Sequence, residues 1–156
     1  VESFAKGRTD LGAVVTFHGI VRGDDTGTLD HMMIEHYPGM TERALTTIAQ
    51  EAMRRWSLGD VLVLHRFGEM RAGDRIMMVA TAAPHRADAF AAAEFLMDYL
   101  KSRAPFWKKE TTPHGARWVD ARVSDDQALQ RWGIRALNAS TEDAPLQNEA
   151  HRPAGS

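Results

Sequence analysis

The chain has 156 residues, 44% apolar and 26% charged, with 19 Lys and Arg against 21 Asp and Glu and a net charge of −2. Size and composition are those of one soluble globular domain with a true core, and the near balance of charge excludes the broad basic surface that nucleic-acid binding requires. Cysteine is absent, which removes disulfides, thiolate metal ligands and thiol nucleophiles together, so any sulfur chemistry here needs another molecule to bring the sulfur.

The chain begins at Val1 without an initiator methionine, so upstream sequence, an N-terminal strand included, is expected to be missing. Gly12 to Val21 is β-branched and largely apolar and predicts a buried strand, followed by a loop over Arg22 to Gly27. Leu29 to His36 predicts a second strand. Pro38-Gly39 turns the chain into a helix with Thr41 as its cap and Glu42 in its first turn, where Ala44, Leu45, Ile48, Ala49, Ala52, Met53 and Trp56 recur on one face. Val61 to Phe67 and Arg75 to Ala82 predict strands around the turn Arg71-Ala72-Gly73-Asp74. Pro84-His85 precedes a second long helix with Ala89, Phe90, Ala93, Leu96, Met97 and Leu100 along one side.

That helix must stop near Arg103, because Pro105 has no N–H and disfavours helix in the residue before it. Lys101 and Arg103 suit the negative end of a helix dipole without further purpose. Phe106-Trp107-Lys108-Lys109 then returns two more ammonium groups, and such crowding favours a small anion. Trp107 to Thr112 and Ala116 to Val119 flank Pro113-His114-Gly115 as a hairpin, and Ser124-Asp125-Asp126-Gln127 has the spacing of a capping box opening a short helix closed by Gly133. Asn138 to Ser156 lacks apolar periodicity and reads as a disordered tail beyond one catalytic domain of residues 1–137. The irregular order of strands and helices, with one antiparallel hairpin, gives an α+β class with a mixed or antiparallel sheet and two long helices.

Other chemistry is weakly signalled. The seven histidines show no i, i+2 or i, i+4 pair to open a metal site. The serines lack a nucleophile elbow, and the Gly23 to Gly27 loop lacks a phosphate-cradling order. Arg22 at a strand end and His85-Arg86 at a helix start are each candidate anion contacts. No apolar run reaches the length of a membrane span and no leader pattern opens the chain, so the expected location is cytoplasmic, with no membrane partner.

Four segments together resemble one family. Gly12-Ala-Val-Val-Thr-Phe17-His-Gly-Ile-Val-Arg22, Glu35-His-Tyr-Pro-Gly-Met40, Ala83-Pro-His85-Arg86, and Met97-Asp-Tyr-Leu-Lys101-Ser-Arg103-Ala-Pro105-Phe-Trp-Lys108-Lys-Glu110 are similar in content and order to the catalytic, large subunit of molybdopterin synthase. The similarity covers roughly Gly12 to Trp132. It implies an α/β-hammerhead fold and a homodimer carrying a small ubiquitin-like sulfur-carrier subunit at each end, a heterotetramer. It also implies transfer of two sulfurs from the carrier's thiocarboxylated C-terminus to a pterin phosphate, cyclic pyranopterin monophosphate, giving the dithiolene of molybdopterin. Lys101 and Lys108 match the family's essential lysines, and Phe17, Arg22, His85, Arg86 and Met97 match pocket residues, some supplied by the opposite protomer. Arg103 joins them as a substrate-binding candidate. The chain itself is expected to hold no cofactor. Ile20 departs from members that carry lysine there. Two other readings are a non-catalytic module binding a phosphorylated metabolite or a ubiquitin-like tail, and a single-strand binder stacking bases on Phe106 and Trp107.

Overall fold

In a computed structural model, residues 3–23, 27, 31–119 and 123–133 are described, residues 123–126 by backbone alone. The strands are β1 (Ala13–Ile20), β2 (His31–His36), β3 (Asp60–His65), β4 (Gly68–Met70), β5 (Arg75–Ala83), β6 (Phe106–Thr112) and β7 (Gly115–Val119); the helices are α1 (Met40–Arg55), α2 (Arg86–Ser102) and α3 (Val123–Gln130). They form two sheets, β1-β5-β3 and β4-β2-β6-β7. Every strand pairing is antiparallel, so the α+β class holds, with the antiparallel form of the expected sheet.

The helices cover one face of the three-stranded sheet. Ile48 and Ala52 of α1, Val79 of β5, and Ala93, Phe95, Leu96, Met97 and Leu100 of α2 form the main core. Thr81, fully buried on β5, donates its hydroxyl to the Ala89 carbonyl at 2.7 Å and fastens α2 to the sheet. A second core of Val21, Ile34, Met70 and Ile76 fills the junction between the sheets, with Phe106 against it. Met77 borders both cores.

Helix ends differ in detail from expectation. Thr41 is buried one position inside α1; the cap is Gly39, at φ 80°, whose N–H donates to the Glu42 carboxylate. Only a residue tolerant of positive φ turns the chain this way while leaving room for that bond. The expected strand Val61 to Phe67 breaks after His65, and the short β4 starts at Gly68, at φ 88°. Phe90 points outward at 62% exposure, and Phe95 takes the core position instead. α2 ends as Pro105 requires, with the N–H groups of Arg103 and Ala104 both reaching the Tyr99 carbonyl. The hairpin between β6 and β7 turns at Pro113-His114, and Gly115 opens β7 at φ 131°.

α3 begins at Val123, one residue before the expected cap Ser124, whose side chain lies outside the description; Gly133 closes it at φ 73°. The loop residues 24–26, the expected strand start at Leu29 and Asp30, and the expected tail 138–156 also lie outside the described residues. Among the described residues, no helix is long and apolar enough to cross a membrane.

Candidate active site

The cation-rich segment sits where α2 ends and β6 begins. Lys101 is exposed in the last turn of α2, where a cation suits the negative end of the helix dipole. Arg103 caps the helix half-buried, and its Nε is buried with no hydrogen-bond partner among the described residues. A guanidinium N–H in that state is costly unless something accepts its hydrogen. Arg103 also lies close enough to oppose the effect of burial on the Tyr99 hydroxyl, which burial otherwise pushes upward in pKa.

β6 separates the two lysines that sequence places side by side. Successive strand residues face opposite sides, so Phe106, Lys108 and Glu110 share one face while Trp107 and Lys109 take the other. Lys108, half-buried, stands opposite Ile34 of β2, which is 1% exposed in the junction core. Lys109 instead holds its ammonium 5.5 Å over the Trp118 ring, and Trp107 meets Tyr37 edge-on at 4.7 Å. Of the four expected cations, Lys109 is therefore turned away from Lys108, while Lys101 and Arg103 end α2 and Lys108 is the third residue of β6.

Two histidines border the Lys108 face without having been singled out from sequence. His65, the last residue of β3, stacks on Phe106 with centroids 3.7 Å apart and planes 19° from parallel. Its Nδ1 donates to the Arg66 carbonyl at 2.7 Å, an acceptor only, which fixes the proton on that nitrogen. Burial pulls its pKa down to about 4, with the charges of Lys108 and His36 acting in the same direction against that hydrogen bond. His36 stands opposite Phe106 on β2 and packs on Phe67 at 4.2 Å. No local motif marks either residue, because each owes its neighbours to strands far off in sequence.

The remaining candidates are dispersed. Arg22 is exposed just after Val21, whose backbone is clamped to Gly73 and Asp74 by two 2.8 Å bonds. Because Ile20 pairs with Arg75 and His65 with Met77, Arg22 lies at the same end of the sheet as His65. Phe17, opposite Val79, is 41% exposed, whereas Met97 is buried in the main core. His85 and Arg86, both exposed, stand at the start of α2. Arg86 and Lys101 are fifteen positions apart on that helix, about 22 Å at 1.5 Å per residue. One copy of the chain does not bring them together. Among the described residues, no three His, Asp or Glu side chains gather as a metal site.

A family model described as the MoaE protein matches residues 1–103. The molybdopterin synthase catalytic subunit of Cereibacter sphaeroides is 63% identical over 131 residues, 84% of this chain and 89% of that one. The same-named protein of Escherichia coli is 56% identical over 126 residues, 80% of this chain and 84% of that one. Among solved structures, molybdopterin cofactor biosynthesis protein E from Burkholderia multivorans matches at 58% identity with a TM-score of 0.68, covering 82% of this chain and 83% of that one. Molybdopterin synthase from Staphylococcus aureus matches at 32% identity with a TM-score of 0.69, covering 72% and 83%.

Proposed function

Since this chain belongs to the MoaE family, we propose that Lys101, Arg103 and Lys108 form the centre at which it transfers sulfur in molybdenum-cofactor biosynthesis. The chain is a sulfurtransferase of the molybdopterin synthase type, with the hammerhead-type α+β fold of that family. Its substrate in this reading is cyclic pyranopterin monophosphate. Its sulfur comes from the thiocarboxylated C-terminus of a small ubiquitin-like carrier subunit. Both reactants are anions, and the chain has no cysteine to carry sulfur itself, so its task is to bind, orient and polarise.

The observation that carries the reading is the half-buried Arg103 at the end of α2, its Nε buried without a hydrogen-bond partner among the described residues, in a stretch of chain that also holds Lys101 and Lys108. An anion there gains charge-assisted hydrogen bonds that water supplies less rigidly. Ammonium groups already in place stabilise negative charge as sulfur adds to the pterin, a preorganised contribution of about 3 kcal/mol per donor. Either lysine also serves as acid or base.

The reading needs a second copy. The separation of Arg86 from Lys101 along α2 supports a homodimer in which His85 and Arg86 of one protomer complete the other's site, with Phe17, Arg22 and Met97 shaping the pocket. With a carrier at each end, the assembly is a heterotetramer. Residues 1–137 make up the catalytic domain, residues 138–156 are a tail outside it, and the location is cytoplasmic. Purified chain, thiocarboxylated carrier and cyclic pyranopterin monophosphate are expected to yield molybdopterin. Binding of both without product would leave a docking module instead.

A further inference from the structure

Resting on the assignment of Lys108 to the reaction, we propose that His65 is a positioning residue for Lys108, acting through its stacked contact with Phe106. Phe106 and Lys108 lie two apart on one face of β6, so the tilt of that short stretch sets both side chains together. β6 is hydrogen-bonded within the four-stranded sheet, whereas His65 belongs to the three-stranded one. The His65 ring therefore bolts the lysine-bearing strand to a different sheet, the one on which α2 and Lys101 are mounted. Together with the junction core of Val21, Ile34, Met70 and Ile76, it sets the placement of Lys108 relative to α2.

The imidazole suits this task. Its Nδ1–H is tied to the Arg66 carbonyl, and Arg66 is itself anchored by its N–H to the Ile76 carbonyl and by its guanidinium to the Arg75 carbonyl, both at 2.8 Å. The ring plane is thus set by the β3 and β5 backbones. The charged groups facing it are Lys108 from β6 and His36 from β2. A second cation pressed against Lys108 would repel it; the half-buried ring, uncharged at neutral pH, avoids that conflict while keeping a flat surface for Phe106.

Two variants separate stacking from space-filling. His65→Leu keeps apolar bulk but no flat ring, and His65→Phe restores the ring. The readouts are kcat and KM in the reconstituted synthase and the NMR signal of the Lys108 ε-CH2 group in the carrier-free chain with labelled lysine. Displacement of a reacting group by a fraction of an ångström predicts a fall in kcat of about tenfold for His65→Leu with KM within about twofold, a moved Lys108 signal, and recovery of both by His65→Phe. Wild-type kcat and an unmoved signal in His65→Leu, or no recovery in His65→Phe, would overturn the proposal. If Lys108 has no part in turnover, Lys108→Ala retains wild-type kcat while the signal still moves in His65→Leu, which marks failure of the underlying assignment rather than of the positioning.

Discussion

Trp132 donates its indole N–H to Asp98 at 2.7 Å, and the same carboxylate oxygen receives Arg131 at 2.5 Å. The Trp132 ring meets Trp56 and Phe95 edge-on at 5.6 and 5.7 Å, and its carbonyl accepts from Arg55 at 2.7 Å. The segment after α3 is therefore fastened to both long helices. Trp132→Ala is expected to destabilise the protein by about 2–3 kcal/mol, through lost packing and a carboxylate with fewer donors. Truncation after Gly133 retains the whole contact and is expected to leave the melting temperature unchanged, because residues 134–156 carry no core-forming pattern. Thermal melting of the two variants checks both.

Lys101 and Lys108 separate on stability. Lys101→Ala is expected to lower turnover by about a hundredfold while melting stays within about 2 °C of wild type, since an exposed lysine at a helix C-terminus contributes well under 1 kcal/mol. Lys108→Ala is expected to lose comparable turnover and in addition about 1 kcal/mol, because its half-buried stem lies on the side of Ile34. Parallel kinetics and melts read the difference.

The length of α2 makes a prediction about pairs of chains. Lys101→Ala and Arg86→Ala, each inactive alone, are expected to complement when mixed and allowed to exchange. Half the dimers are then mixed, each with one intact site, giving about a quarter of wild-type activity. Mass spectrometry confirms exchange. No recovery would place both residues in one protomer's site or remove Arg86 from it.

His65 gives stability a pH dependence of known sign. Its pKa in the folded chain, about 4, lies below the ordinary 6.5, so the unfolded chain binds the proton first as pH falls. Stability is full above about pH 6.5 and declines toward pH 4 at no more than about 1.4 kcal/mol per pH unit. Glu51, held down to about 2 by Arg54 and Arg55, acts in the same sense, but only below the ordinary carboxylate range. Between pH 6.5 and 5 the wild-type slope is expected to flatten in His65→Phe, as followed by urea melts.

Local pattern reached most of this fold. The apolar stripe of α1, the stop at Pro105 and the hairpin before Gly115 each depend on neighbours within a few residues, and each is present. What escaped depended on distance or on backbone. Gly39 caps α1 because of its φ rather than through a side-chain oxygen, so Thr41 was the stronger local signal. β4 has three residues and starts with a glycine, which no periodicity reveals. The Lys101 and Lys108 candidates were legible as charge at a helix stop, whereas His65 needed its partner Phe106, forty-one positions later and in another sheet.

The strand order also dictates when the candidate site comes into being during folding. β3 and β5 are near neighbours in sequence and can meet early, but Ala13 must find Ala83 and His31 must find Thr111, seventy and eighty positions away. Closing such loops costs chain entropy before any contact rewards it. β6 carries Lys108 and has its long pairing with β2, so the strand with this candidate lysine is expected to join last. A newly made chain would hold a formed helical layer before it holds a working centre.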